Sequence, residues 1–278
     1  MLFKSIFTNT AGTLFSRILG FMRDMMMASV LGASLWSDIF FIAFKIPNLF
    51  RTIFAEGAFT QAFIPNFARA RHRGEFASSI FFRFTAFLFG MSLVVTLFSA
   101  PFTALIAFGY SSEVIALAAP LVALNFWYLD LIFAVTFLAG LLQYKRHFAV
   151  SAFGTGLLNI AMIVALWVAT GLEAKDAVVI LSWGVLGGGV LQLLAHMWVA
   201  KNYGIMRHLV LGTKRLFKGE GRSQEDSSRF SRSFFPSVLG SSTSQISAFI
   251  DTILGTFLAT GSISYLYYAN RIFQLPLA

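Results

Sequence analysis

The sequence contains no cysteine. That absence removes a disulfide framework, a thiolate metal site and a cysteine nucleophile together. Charge is scarce as well: 12% of the 278 residues are Asp, Glu, Lys or Arg, against about 25% in soluble domains. Acidic groups are the rarer sign, 12 against 21 basic, which leaves a formal charge of +9. A chain that is 57% hydrophobic with so few charges would aggregate in water, so the composition is that of an integral membrane protein. Enzyme motifs are missing too. There is no GxxxxGK(S/T) phosphate loop, no HExxH and no acidic cluster at metal-ligand spacing. The glycine-bearing GTGLLN (154–159) and GVLGGGV (184–190) lie inside apolar runs, where a dinucleotide reading fails and close helix packing fits. Nucleic-acid binding would need a solvated basic face with stacking aromatics, but the 33 phenylalanines sit within long apolar runs.

What is present is hydrophobic length. A spanning helix takes about 20 mostly apolar residues. The pattern predicts an all-α membrane protein with about eight spans, near 5–31, 36–67, 80–109, 114–142, 148–171, 177–200, 233–259 and 262 to the end. The first is expected to be an uncleaved helix, because Asn9, Thr10, Thr13 and Arg17 interrupt the apolar core a signal peptide would need. Basic residues gather in 69–75, 143–147 and 201–232, whereas the intervening turns hold one lysine, Lys175. Positive-inside asymmetry then puts the N-terminus and every even-numbered connection in the cytoplasm. The chain divides into a first six-helix lobe (1–203), a basic cytoplasmic linker (204–232) and two further helices (233–278). Within the linker, NYGIMRHLVLGTKRLF suits a membrane-surface helix, with an ordinary basic loop as the alternative, and KGEGRSQEDSSRFSRS is expected to be polar and mobile.

The contrast between the first two spans and the rest carries the functional argument. Residues 84–112, 148–172 and 177–200 hold no Asp, Glu, Lys or Arg. Residues 13–67 hold Arg17, Arg23, Asp24, Asp38, Lys45, Arg51 and Glu56. Three arginines meeting lipid would cost about 8–10 kcal/mol, so these side chains are expected to face a wet interior. Arg17 and Asp24, seven apart, share a face, and Arg23 points about 100° away from Asp24. Asp38, Lys45, Asn48 and Thr52 form a second stripe flanked by Arg51, and a break at Pro47 would aim these groups into a cavity. Pairing such as Arg23 with Asp24 or Arg51 with Glu56 is the plain structural alternative. Four basic groups against three acidic ones leave a surplus, and a guanidinium fork binds phosphate or carboxylate bidentately. Asp130, His196 and Asp251 are isolated polar groups better read as packing residues, and the run SVLGSSTSQIS (237–247) would hydrate a cavity or bond a neighbouring helix.

The segments SRILGFMRDMMMASVLG and SDIFFIAFKIPNLFRTIFAEGAFTQAFIPNFA closely resemble the N-terminus of the MurJ (MviN) family of bacterial lipid II flippases. LLNIAMI (157–163), GVLQL (189–193), LGSSTSQIS (239–247) and YYANRIFQLP (267–276) extend the resemblance over the whole chain. It implies a multidrug/oligosaccharidyl-lipid/polysaccharide exporter fold, with two lobes and fourteen helices around a cationic cavity. This chain would supply the first lobe and the start of the second. The implied activity is alternating-access transfer of lipid II, the undecaprenyl-pyrophosphate-linked peptidoglycan precursor, across the bacterial inner membrane. The implied substrate-binding residues are Arg17, Arg23, Arg51 and Arg271, with Asp24, Asp38, Asn48 and Glu56 orienting or gating. No catalytic residue, metal or cofactor is expected, the energy source would be the membrane potential or an ion gradient, and a monomer is expected. Where the family often has Asp and Glu around the last arginine, this chain has Asn270 and Gln274, so Arg271 would be less neutralised locally. The chain stops at Ala278 within the eighth helix, as a fragment of a longer reading frame would. Competing readings are an exporter of another lipid-linked saccharide or of drugs, a membrane enzyme acting on polyprenyl phosphates, and an envelope scaffold.

Overall fold

The computed structural model describes residues 2–55, 58–218 and 224–274. Every regular element among them is a helix. The charged opening stretch forms α1 (Leu2–Leu31) and α2 (Leu35–Ala55), followed by α3 (Ala58–Arg69). Gly32, at φ 61°, supplies the left-handed residue that ends α1. Next come α4 (Arg73–Leu97), α5 (Ser99–Ile106), α6 (Ser112–Phe126) and α7 (Tyr128–Tyr144). Thus the expected spans 80–109 and 114–142 are each two helices in series. Pro101 sits in the first turn of α5, where its missing N–H has no intrahelical partner to lose. Ser111 caps α6 by accepting from the Val114 amide. Then follow α8 (Ala149–Val168), α9 (Ala174–Asn202), α10 (Ile205–Phe217), α11 (Gln224–Gly255) and α12 (Ser262–Gln274).

Two local expectations are corrected. α2 runs unbroken through the buried Pro47, so no helix end opens there to aim polar groups. The stretch from 224 to 232, expected to be mobile, forms the first turns of α11. Its interior-facing Phe230 is fully buried, and that burial offsets the ordering cost a polar segment could not meet.

Among the described residues, four helical runs are long and apolar enough to cross a membrane: 73–97, 112–144, 149–168 and 174–202. Around them the outward surface is hydrophobic, with Phe87, Leu97, Leu105, Trp167 and Trp198 all more than 60% exposed. A soluble monomer does not present apolar surface on that scale. Inside, α1 packs along α8 and α8 along α9. The glycines of GVLGGGV are the seam: a Cβ on Gly188 would stand 2.7 Å from Leu158 Cδ1, and one on Gly184 would stand 2.5 Å from Ala165 Cβ. Backbone proximity of this kind substitutes for the hydrophobic driving force that lipid removes. At one end of the bundle, Phe59, Phe63, Phe76 and Phe84 of the first helices form a cup around Phe230 of α11, with ring centroids 5.9–6.5 Å apart. At the other end, the α11–α12 turn meets the turns after α1 and α5.

Candidate functional site

Asp24 is the centre of the site. It is 3% exposed, on the face of α1 that looks toward α8 and α12. Arg23, its chain neighbour, leaves its helical direction and folds back. Its Nε donates to Asp24 Oδ1 at 2.9 Å and its Nη2 donates at 2.6 Å. The 100° separation expected between the two positions is overcome by the length of the arginine side chain. From α8, Asn159 accepts from Arg23 Nη1 at 2.9 Å while donating to the Ser16 carbonyl at 3.0 Å, which fixes the amide. From α12, the Tyr267 hydroxyl accepts from Arg23 Nη2 at 3.1 Å and donates to Asp24 Oδ1 at 3.2 Å.

Arg271, one turn along α12, donates through Nε to the other carboxylate oxygen, Asp24 Oδ2, at 2.5 Å. One carboxylate thus serves two guanidiniums, and the group carries a net positive charge. The two arginines are not equivalent. Arg23 is 7% exposed and its donors are spent on protein oxygens and the Met162 sulfur. The Arg271 side chain is 41% exposed, and its two terminal nitrogens take no protein partner among the described residues. A half-open fork beside a saturated one can accept one anionic group without either charge being stranded. The local neutralisation that Asn270 and Gln274 withhold comes instead from α1. Asn270 is exposed, and the side chain of Gln274 lies outside the described residues.

Asp38 occupies a separate site. It lies in the first turn of α2, 2% exposed, and accepts from the Gly261 amide at 2.6 Å, the Ser264 amide at 2.8 Å and the Ser264 hydroxyl at 2.5 Å. Those amides belong to the start of α12, so Asp38 is an N-cap contributed across the bundle. Gly261 has φ 89°, and a Cβ there would stand 2.7 Å from the Ala33 carbonyl oxygen; only glycine fits. Ser37 Oγ and Ser264 Oγ are 2.8 Å apart, and the Gly109 amide donates to Thr256 Oγ1 at 3.1 Å. The turn between α11 and α12 is therefore clamped to two turns of the preceding helices.

The remaining residues singled out in the sequence fall elsewhere. Arg51 donates to Asn48 Oδ1 at 3.1 Å within α2, and Arg17 is exposed on α1. Glu56 lies outside the described residues. Asp130 accepts from Ser92 at 2.6 Å between α7 and α4, and His196 bonds the Gln192 carbonyl one turn back; both are packing residues. In the serine run, Ser237 and Ser242 bond back to carbonyls of their own helix. No group of three potential metal ligands occurs among the described residues. Sequence reasoning missed Tyr267, Asn159 and Ser264. Their residue types carry no charge signal, although Tyr267 and Asn159 lie within YYANRIFQLP and LLNIAMI.

Residues 27–278 match the sequence profile of the family described as lipid II flippase MurJ. The chain belongs to that family. A MurJ relative from Helicobacter pylori (strain J99 / ATCC 700824), named a probable lipid II flippase, is 49% identical over 260 residues, covering 91% of this chain and 56% of the relative. The lipid II flippase MurJ of Burkholderia cenocepacia is 31% identical over 286 residues, covering 100% of this chain and 54% of the relative. A solved structure titled lipid II flippase MurJ, inward closed conformation, superposes with a TM-score of 0.78 at 26% identity, covering 96% of this chain and 54% of the other. The chain thus spans about half the length of the MurJ relatives it matches. The MurJ family is one of transporters and not of catalysts.

Proposed function

We propose that this chain is the first lobe, and the start of the second, of a flippase that carries lipid II from the cytoplasmic to the periplasmic leaflet of a bacterial inner membrane in peptidoglycan synthesis. One observation carries the reading: Asp24 holds Arg23 saturated and Arg271 half-open on two elements that belong to different lobes. The pyrophosphate of the substrate would take the open fork of Arg271, with Arg17, Arg51 and Lys45 adding positive potential along the path. Because Asp24 joins α1 to α12, an anion competing for Arg271 alters the contact between the lobes. That is the differential interaction a conformational shift requires.

The orientation follows from basic connections at 69–75, 143–147 and 201–232, which put the N-terminus in the cytoplasm, with eight spans in all. The boundaries at 1–203, 204–232 and 233–278 belong to the same reading, with α10 and the first turns of α11 built from the connection. In this orientation the Asp38 clamp lies on the periplasmic side and keeps it shut, and Glu56 and Asn48 act in gating at the other end. Membrane potential or an ion gradient supplies the energy, and one copy suffices for the path.

The test is growth of flippase-depleted cells supplied with the full-length protein carrying Arg23→Ala, Arg271→Ala or both. Each single change is expected to abolish rescue while membrane levels of the protein hold. Normal growth of the double variant would remove the pyrophosphate role.

A further inference from the structure

The amphipathic pattern of α10 is not used by the transport site. Ile205, Leu209, Gly212 and Leu216 share a face that packs inward, and Met206, Val210 and Phe217 form an apolar stripe beside it. Arg207, Lys214 and Lys218 lie opposite and exposed. The inward face lies against α4 at a point where two glycines meet: Gly212 approaches the Gly74 backbone so closely that neither has room for a Cβ. Ser78 Oγ donates to the Leu209 carbonyl at 3.2 Å and accepts from Thr213 at 3.1 Å, which fixes the register.

Next to this contact, between the ends of α4, α7 and α10, lies a cavity of about 160 Å³. Phe67, Leu141 and Leu209 help to form an apolar floor, and Arg73, Lys145 and His208 stand around it, with no carboxylate among the lining residues. Arg73 is held in place: its Nη2 donates to the Ala68 carbonyl at 2.9 Å, and its guanidinium lies 5.5 Å from the Tyr144 ring centroid. The side chains of Lys145 and His208 have no hydrogen-bond or ion-pair partner among the described residues, and both residues are exposed.

We infer that this cavity holds the phosphate headgroup of an anionic phospholipid, with an acyl chain following the Met206–Val210–Phe217 stripe. Three nitrogen-bearing side chains without a counter-ion ask for an anion, and the apolar floor beside an exposed apolar stripe asks for a ligand with a tail. The site is separate from Asp24 and Arg271, and it stands or falls independently of the transport reading.

The experiment uses the purified 278-residue chain in mild detergent, with bound lipid counted by native mass spectrometry during titration with phosphatidylglycerol or phosphatidylcholine. Phosphatidylglycerol is expected to be retained preferentially. Lys145→Gln with His208→Gln should weaken its retention about tenfold and leave phosphatidylcholine unchanged. Gly212→Leu, which keeps every cation but lifts α10 off α4, should weaken it as well. Arg207→Gln with Lys214→Gln, on the outward face, should change it less than about twofold. Three results would overturn the assignment. One is undiminished retention in the pocket variants, and another is an equal loss in the outward pair, which would mean general surface charge. The third is displacement of the lipid by an equal concentration of inorganic phosphate, which would mean a free-anion site.

Discussion

Asp24 shows why residue counting alone cannot assign a site. Its two oxygens are shared between a neighbour in sequence and an arginine 247 positions away. Removing the carboxylate charge leaves Arg23 buried beside Asn159 and Tyr267 with no counter-ion. Breaking a buried pair from one side costs on the order of 3 kcal/mol. Asp24→Asn is accordingly expected to lower the heat-unfolding midpoint of the purified chain. Arg271→Gln, which removes the half-exposed partner, should cost much less. Equal shifts for the two would mean that the arginines are equally buried. The substitution pattern around Arg271 has the same lesson: with Asn270 exposed, the charge that matters comes from α1.

At the scale of elements, the clearest device is a cap supplied across the bundle. α12 starts at Ser262, whose amide donates to the Ala259 carbonyl, while Asp38 of α2 accepts from the Gly261 amide just before the helix and the Ser264 amide of its first turn. Replacing an N-cap acid by alanine costs about 0.5–2 kcal/mol, and here the loss falls on one short helix. For Asp38→Ala, amide hydrogen exchange at residues 262–266 should speed up while that of α8 and α9 stays at its native rate. Unchanged exchange at the start of α12 would show that Gly261 and the serine pair hold it alone. α8 and α9 are insulated because their contact rests on Gly184 and Gly188, far from this clamp in the chain. Helix existence was legible in the apolar runs; Pro101 stands just past the division at Phe98, but no proline or glycine marks the division at Trp127.

The proposed orientation puts the basic connections on the cytoplasmic side, and the sequence's lack of cysteine makes it directly measurable. Single cysteines at the exposed positions Arg71 and Lys175 provide the test. In intact cells a membrane-impermeant maleimide should label Lys175→Cys, and should label Arg71→Cys only after permeabilisation. Labelling of both from outside would overturn the orientation. α1, α2 and α11 are more polar than the four apolar runs and α12 has only 13 residues, and these are also the elements that build the Asp24 and Asp38 sites.

By itself, the sequence determined the membrane class, the all-helical content and the family, and it singled out the residues proposed to bind an anion. The first two follow from composition and hydrophobic run length, the family from the resemblance of its motifs, and the candidate charges from their placement where lipid forbids them or from that resemblance. Only the tertiary structure decided which charges meet. The Arg23–Asp24 pair was one of the alternatives the sequence offered, but Arg271 arrives from the far end of the chain, and Asp38 leaves the stripe it shares with Lys45 to cap α12. The physical reason is reach: a side chain several ångströms long and helices distant in sequence bring together partners that spacing along one helix cannot foresee.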